Sequence, residues 1–329
     1  MRIRLITIMS LTAAAVAAGA IAGCSSGSTG TGNTVATSSP GSAGTAGFPV
    51  TMHAGNGAVI LTSDPARIVS LSPTATEDLY AVGAGKQVVA VDETSDYPAG
   101  VPKTSLSGID PNIEAIARYN PSLVIAQENA NGLVAGLRKL GVPVLVEPAA
   151  TSIAGAYDQI GQIGQATGHA DQAASLVTTM KTEIAADLKK AGTRHQDLTY
   201  YWEVSANPYY SATSATFIGQ VASLFGLTNI ADAASKASDG GYPELSQEYI
   251  VTAKPQLIFL ADNATADGGQ TPALVAKRPG WPAIPAVKDN EVTPLNDDVA
   301  SRWGPRLPQL VAAIASAVEK ASAQNTANG

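Results

Sequence analysis

A chain of 329 residues, 45% hydrophobic and 14% charged, is long enough for one large or two medium domains and carries enough apolar surface for a sizeable core. Its formal charge of −7 argues against a nucleic-acid partner, whose binders need basic faces. The single cysteine rules out an internal disulfide.

Taken in order, Met1 to Arg4 is a basic start and Leu5 to Ala20 an apolar, small-residue run. Ile21-Ala-Gly-Cys24 follows at once and resembles a bacterial lipobox. That resemblance implies that residues 1–23 are a removable lipoprotein signal peptide. Cys24 is then the lipidated first residue of the mature protein, held on the extracytoplasmic face of the cell membrane without spanning it. Residues 24–47 are rich in Ser, Gly, Thr and Ala and hold no charge. Such a stretch cannot build a core, so it is expected to be a flexible tether.

Residues 48–150 read as a first α/β lobe. Phe48 to Met52 and Ala58 to Thr62 flank Gly55-Asn-Gly57, a hairpin signal. Arg67 to Leu71 is a short apolar strand, and Ser72-Pro starts a helix that ends at Gly83. Lys86 to Val91 is the next strand and runs into the loop Asp92 to Pro98, which carries Tyr97. A helix capped by Asn112 contains Glu114, stops before Pro121 and feeds the strand Leu123 to Ala126. A helix over 133–140 and a strand over 142–146 close the lobe.

Residues 151–192 are built almost wholly from good helix formers and are expected to be the linking helix, with His169 at a break. Ala173, Val177, Met180, Ile184 and Leu188 make one apolar stripe at steps of three and four. Beyond it, residues 193–329 restart the pattern as a second α/β lobe. Leu198 to Val204 is an aromatic-rich strand that opens into a loop with Tyr209 and Tyr210. A helix over 216–225 follows, and Gly240 to Ser246 is a loop with Tyr242 before Pro243. Ser246 caps a helix containing Glu248, Pro255 ends it, and Leu257 to Leu260 is a strand. The chain closes with a strand over 291–295, the segment Asp297 to Arg306 and an alanine-rich helix.

The two lobes repeat. Glu114 corresponds to Glu248, Pro121 to Pro255 and Leu123 to Leu257, each pair 134 residues apart. Strands alternating with helices predict mostly parallel sheets, with ligands at the carboxyl ends of the strands. The loops around Tyr97, Tyr209, Tyr242 and Asp298 lie near such ends. The sequence lacks a Gly-x-Ser-x-Gly elbow, a His-Glu-x-x-His pair and a phosphate loop, so catalysis is not expected, and neither is a cofactor. His53, His169 and His195 have no metal-ligand spacing.

Ala66-Arg-Ile-Val-Ser-Leu-Ser-Pro-Thr-Ala-Thr-Glu77, Ala81-Val-Gly-Ala-Gly85, Ser95-Asp-Tyr-Pro98, Asn112-Ile-Glu114, Asn120-Pro-Ser-Leu-Val-Ile125 and Leu245-Ser-Gln-Glu248 together resemble one family. It is that of the helical-backbone substrate-binding proteins of ABC importers for iron–siderophore complexes, haem and cobalamin. In motifs the chain is most similar to the cobalamin-binding members. The resemblance covers nearly everything from Phe48 onward. It implies two lobes, each a mostly parallel sheet wrapped by helices, joined by one long backbone helix, in a protein expected to be monomeric.

It also implies that Glu114 and Glu248 dock the permease, which works with its ATPase; a glutamate in a first helical turn also answers the helix dipole. Tyr97 matches a ligand-stacking tyrosine, Tyr210 an aromatic, and Tyr242 a position that is tryptophan in the family. Asp298 and Arg302 match an acidic and a basic pocket residue. Where the family has a further tryptophan this chain has Gly108, and Trp303, Tyr209 or Trp202 are candidate replacements. Aromatic walls without an arginine cluster favour a corrinoid or a near-neutral ferric hydroxamate over an anionic ferric catecholate. A lipid-anchored sensor, or a haem receptor without a transporter, is the alternative function.

Overall fold

The computed structural model describes residues 47–263 and 269–328. The first lobe contains β1 (Val50–Ala54), β2 (Gly57–Leu61), β3 (Ile68–Leu71), α1 (Pro73–Ala81), β4 (Val88–Val91), α2 (Ile113–Ala117), β5 (Leu123–Ala126), α3 (Leu133–Lys139) and β6 (Val144–Val146). Two helices follow, α4 (Ile153–Ala166) and α5 (Ala170–Ala191). The second lobe contains β7 (Thr199–Glu203), β8 (Ser205–Ala206), β9 (Tyr209–Tyr210), α6 (Phe217–Ser223), β10 (Thr228–Asn229), α7 (Gln247–Ala253), β11 (Leu257–Leu260), α8 (Pro272–Val275), α9 (Pro285–Lys288), β12 (Val292–Pro294), α10 (Asp297–Ser301) and α11 (Leu307–Asn328).

Among the described residues, the main strands form two four-stranded parallel sheets, ordered β4-β3-β5-β6 and β10-β7-β11-β12. Numbered in chain order within its own sheet, each order is second, first, third, fourth. The repeat in sequence is therefore a repeat in topology. In the first sheet Leu123 pairs with Ile68, and 134 residues later Leu257 pairs with Tyr200. In both sheets the chain reverses its winding between the first and third strands, and the crevice outside their carboxyl ends is where open α/β sheets bind ligands.

These strands are apolar on both faces because helices cover both, as parallel sheets require: β3, β5 and β11 are buried at every position. In the first sheet Val69, Leu71, Val124 and Ala126 pack outward on Ile116, Leu133 and Leu137 of α2 and α3. Ile68, Leu123 and Ile125 point inward. That inner core runs without interruption through Ile160 and Ile163 of α4, Ala173, Met180 and Ile184 of α5, and Leu310, Val311 and Ile314 of α11 to Trp202 and Phe259 of the second sheet. The two sheets thus flank a common helical layer.

The linking stretch is two helices rather than one. Gly168 at φ +71 turns the chain out of α4, and the Thr167 hydroxyl bonds back to the Ile163 carbonyl at 2.8 Å. Gly164 lets the two helices touch: a Cβ placed there would lie 2.4 Å from the Ala173 Cβ. The long rod is α5, and the predicted stripe is the face it buries, with Ala173, Met180 and Ile184 inside and Val177 and Leu188 at the margin. At the other end of the first lobe, the β1–β2 hairpin sits on the edge strand β6, with Gly55 N–H bonded to the Val146 carbonyl at 2.8 Å and Asn56 bonded to Val144 and Val146. That contact covers an otherwise open sheet edge.

Candidate functional site

The first lobe reaches the junction through two pieces of chain that leave the carboxyl ends of β3 and β4. After β3, the Ser72 hydroxyl accepts the Ala75 N–H and starts α1, which carries Glu77 inward until its carboxylate is 1% exposed. After β4, Asp92 turns the loop by accepting the hydroxyls of Thr94 and Ser95. Ser95 and Ser70 both bond the buried Thr76 hydroxyl, each at 2.9 Å, tying this loop to α1. Tyr97 projects from the loop and is 42% exposed.

The second lobe answers with residues 297–306. Asn296 caps α10 by accepting the Val299 N–H at 2.9 Å, which orients Asp298 and leads to Arg302 at the helix end. The chain then crosses α1 so closely that a Cβ on Gly304 would lie 3.3 Å from Thr74 and 3.4 Å from Asp78. Arg302 donates to Glu77 at 2.9 Å, to Asp96 at 3.2 Å and to the Thr94 carbonyl at 3.2 Å, and pairs with Asp298 at 2.5 Å. Arg306 donates to both oxygens of Glu77, at 2.8 and 2.6 Å, while its guanidinium lies 4.2 Å from the centre of the Tyr97 ring. Burial raises the pKa of Asp298, and Arg302 beside it only partly opposes the shift.

Next to this cluster is a cavity of about 320 Å³ to which both lobes contribute. Ala149 and Ala150 come from the end of the first lobe, Thr151 from the start of the linking stretch, Phe217 and Tyr242 from the second lobe, and Ser301 and Trp303 from the crossing segment. Gly241, at φ +90, brings the Tyr242 loop against the start of α6, where a Cβ would meet Thr216 at 2.8 Å. Trp303 is fixed by donating its indole N–H to Gln159 of α4 at 2.8 Å. No charged side chain lines the cavity among the described residues. A larger cavity of about 530 Å³ lies between the β1–β2 hairpin and α3. It is lined by Ser122 and Pro143 at the amino ends of the strands, away from the switch points, and by residues of one lobe alone. We therefore place the candidate site in the smaller, two-lobed cavity.

The structure brings Tyr242 and Trp303 together in that cavity and gathers Tyr97, Asp298 and Arg302 beside it. Tyr209 and Tyr210 are not among its lining residues. The Tyr209 ring lies 5.6 Å from Trp281 and 5.3 Å from the Arg278 guanidinium, which in turn grips the fully buried Glu203 at 2.5 and 2.7 Å. Tyr210 stands 39% exposed on the short β8–β9 hairpin. Of the three candidate replacements for the wall absent at Gly108, Trp202 is excluded: it is fully buried in β7 against Phe259. Gly108 itself is a point of close approach, since a Cβ there would lie 2.7 Å from the Leu71 carbonyl.

Glu114 and Glu248 occupy the same place in the two lobes. Each stands exposed in the first turn of the helix that precedes the third strand, in chain order, of its lobe's four-stranded sheet, behind an Asn112 or Ser246 cap. Neither joins an ion pair among the described residues. Cys24 and the tether lie outside the described residues. Sequence reasoning assigned no role to Glu77, Arg306 or Phe217. Glu77 ends one of the family motifs and Arg306 ends the segment before the last helix, but only the chain crossing at Gly304 shows that they meet.

The chain matches the family described as "Periplasmic binding protein" over residues 68–299. It is 32% identical over 280 residues to an uncharacterized ABC transporter substrate-binding lipoprotein, YvrC, of Bacillus subtilis, covering 82% of this chain and 86% of that one. It is also 32% identical over 278 residues to a cobalamin-binding protein of Halobacterium salinarum, covering 82% and 74%. Among solved structures, the periplasmic vitamin B12 binding protein BtuF of Vibrio cholerae superposes with a TM-score of 0.64 at 27% identity, over 78% of this chain and 98% of that one.

Proposed function

Because the chain belongs to the periplasmic binding protein family of extracytoplasmic substrate-binding proteins, which serve ABC importers and are not enzymes, we propose that it captures a metal chelate between its lobes and hands it to a permease. The observation that carries this reading is the two-lobed cavity at the carboxyl ends of the strands, walled by Phe217, Tyr242 and Trp303 and free of charged side chains. A large ring face buries much apolar area against such walls at little cost in side-chain entropy. The same lining favours one class of chelate. A polyanionic complex would enter without a cation to meet it, because the two nearest arginines are already held by Glu77, Asp96 and Asp298. A corrinoid or a near-neutral ferric siderophore meets no such penalty.

In this reading Glu114 and Glu248 are the docking points for the permease, one on each lobe. Their duplicated, exposed and unpaired positions support that role. Cys24 is the lipid anchor, with residues 24–47 as the tether. The test is to purify residues 48–329 and titrate tryptophan fluorescence with cyanocobalamin, a ferric hydroxamate, a ferric catecholate and haem. Tight binding of one of the first two is expected; binding of none of the four would remove the receptor assignment.

A further inference from the structure

Tyr97 does not stand alone at the lobe junction. One face of its ring is covered by the Arg306 guanidinium, 4.2 Å from the ring centre. The edges of that guanidinium are committed elsewhere: Nε donates to Glu77 Oε2 at 2.8 Å, and Nη2 donates to Glu77 Oε1 at 2.6 Å and lies 3.6 Å from Asp298 Oδ2. An arginine so placed offers its flat face to a ring and has its Nε–Nη2 edge engaged by carboxylates, which fixes the guanidinium plane over the ring. Glu77 is fixed in turn, because α1 is rooted in the first lobe's core through Ala75 and Leu79 and its carboxylate is 1% exposed. Arg302 holds the same loop from the other side through Asp96 and the Thr94 carbonyl, both at 3.2 Å.

We propose that Arg306 is a positioning residue for Tyr97: anchored on Glu77 across the lobe junction, it backs the tyrosine ring and holds the 92–98 loop as a preformed wall without meeting the ligand itself. This rests on the proposed chelate site and on the match of Tyr97, which lies beside the cavity, to a ligand-stacking tyrosine of the family. The consequence is that part of the ordering cost of binding is met before the ligand arrives, which is how preorganised sites gain affinity. Arg306 and Tyr97 should then act on affinity as a single unit and not as two independent contacts.

Hydrogen exchange of the ligand-free protein reads the loop directly, and a double-mutant cycle with cyanocobalamin reads the coupling. Arg306→Gln keeps a hydrogen-bond donor for Glu77 but removes the charge over the ring. It should speed exchange of the amides of residues 93–97 by roughly tenfold, with β3 and β11 unchanged. It should also weaken cyanocobalamin binding by about tenfold, a loss that Arg306→Lys largely restores and that vanishes when Tyr97 is already alanine. Tyr97→Leu, which leaves the ion pairs in place, should loosen the same amides and so decides the matter even if Arg306→Gln does not fold. Unchanged exchange in both variants, or losses that simply add in the Arg306→Gln/Tyr97→Ala protein, would overturn the proposal. Should cyanocobalamin not bind the wild type, the chelate reading is what suffers, while the exchange of the loop amides still decides the role of Arg306.

Discussion

Beneath Trp303, two carboxyl groups lie where water scarcely reaches. Asp78 and Glu147 are 2% and 5% exposed, and each has an oxygen without a hydrogen-bond partner among the described residues. Burial pushes the Glu147 carboxyl up to about 7, and burial together with Glu77 and Glu147 holds Asp78 well above its ordinary value. The folded state therefore keeps a proton on Glu147 that the unfolded chain releases near pH 4.5. Its contribution is a loss of stability as pH rises from about 4.5 to about 7, constant above that. Glu147→Gln should match the wild type near pH 4.5 and exceed it at pH 8 by about 1–3 kcal/mol in urea unfolding. Equal stability at pH 8 would mean that Glu147 is solvated there. The same residue-scale logic explains why Arg302, matched by resemblance to a basic pocket residue, sits within an ion cluster: removing both Arg302 and Arg306 would leave Glu77 buried and uncompensated, at a cost of about 3–5 kcal/mol.

At the scale of elements, the strands and their order of appearance were readable because β3, β5 and β11 are short, apolar apart from Ser70 and bounded by Pro, Gly or a capped helix. The stripe on α5 was readable because only one face of that helix is buried. The β8–β9 hairpin and β10 were not, since two-residue strands leave no periodicity to find. Trp202 illustrates a deeper limit. In a strand buried on both faces, Tyr200, Tyr201 and Trp202 all point into packed core, so alternation cannot separate a core aromatic from a cleft aromatic. The break between α4 and α5 rests on Gly168 and on the contact at Gly164. Gly164→Val should force the helices apart and cost about 1–3 kcal/mol, seen as a lower urea midpoint with an unchanged slope. No change would show that the contact yields freely. Gly108→Trp, the substitution that would restore the family's stacking wall, should destabilise rather than add affinity, because its Cβ meets the Leu71 carbonyl.

For the whole molecule, the repeat at 134 residues was the most informative feature of the sequence, and it places Glu114 and Glu248 at equivalent points of two equivalent sheets. What it could not give was how the lobes meet, since the contacts of residues 298–306 with residues 74–97 span more than 200 positions and leave no local pattern. The docking reading makes a separable prediction at this scale. Glu114→Lys with Glu248→Lys should abolish transport of the chelate in a reconstituted importer while the dissociation constant stays within about twofold, because both side chains are exposed and neither lines the cavity. Retained transport would remove Glu114 and Glu248 as the docking points.

The cleft itself is tested most directly by calorimetric titration of residues 48–329 and of the Tyr242→Ala and Trp303→Ala variants with cyanocobalamin and a ferric hydroxamate. One chelate bound per protein is expected, with each variant weaker by roughly 1–3 kcal/mol and its folding cooperative as before. Wild-type affinity in both variants would contradict capture between the lobes.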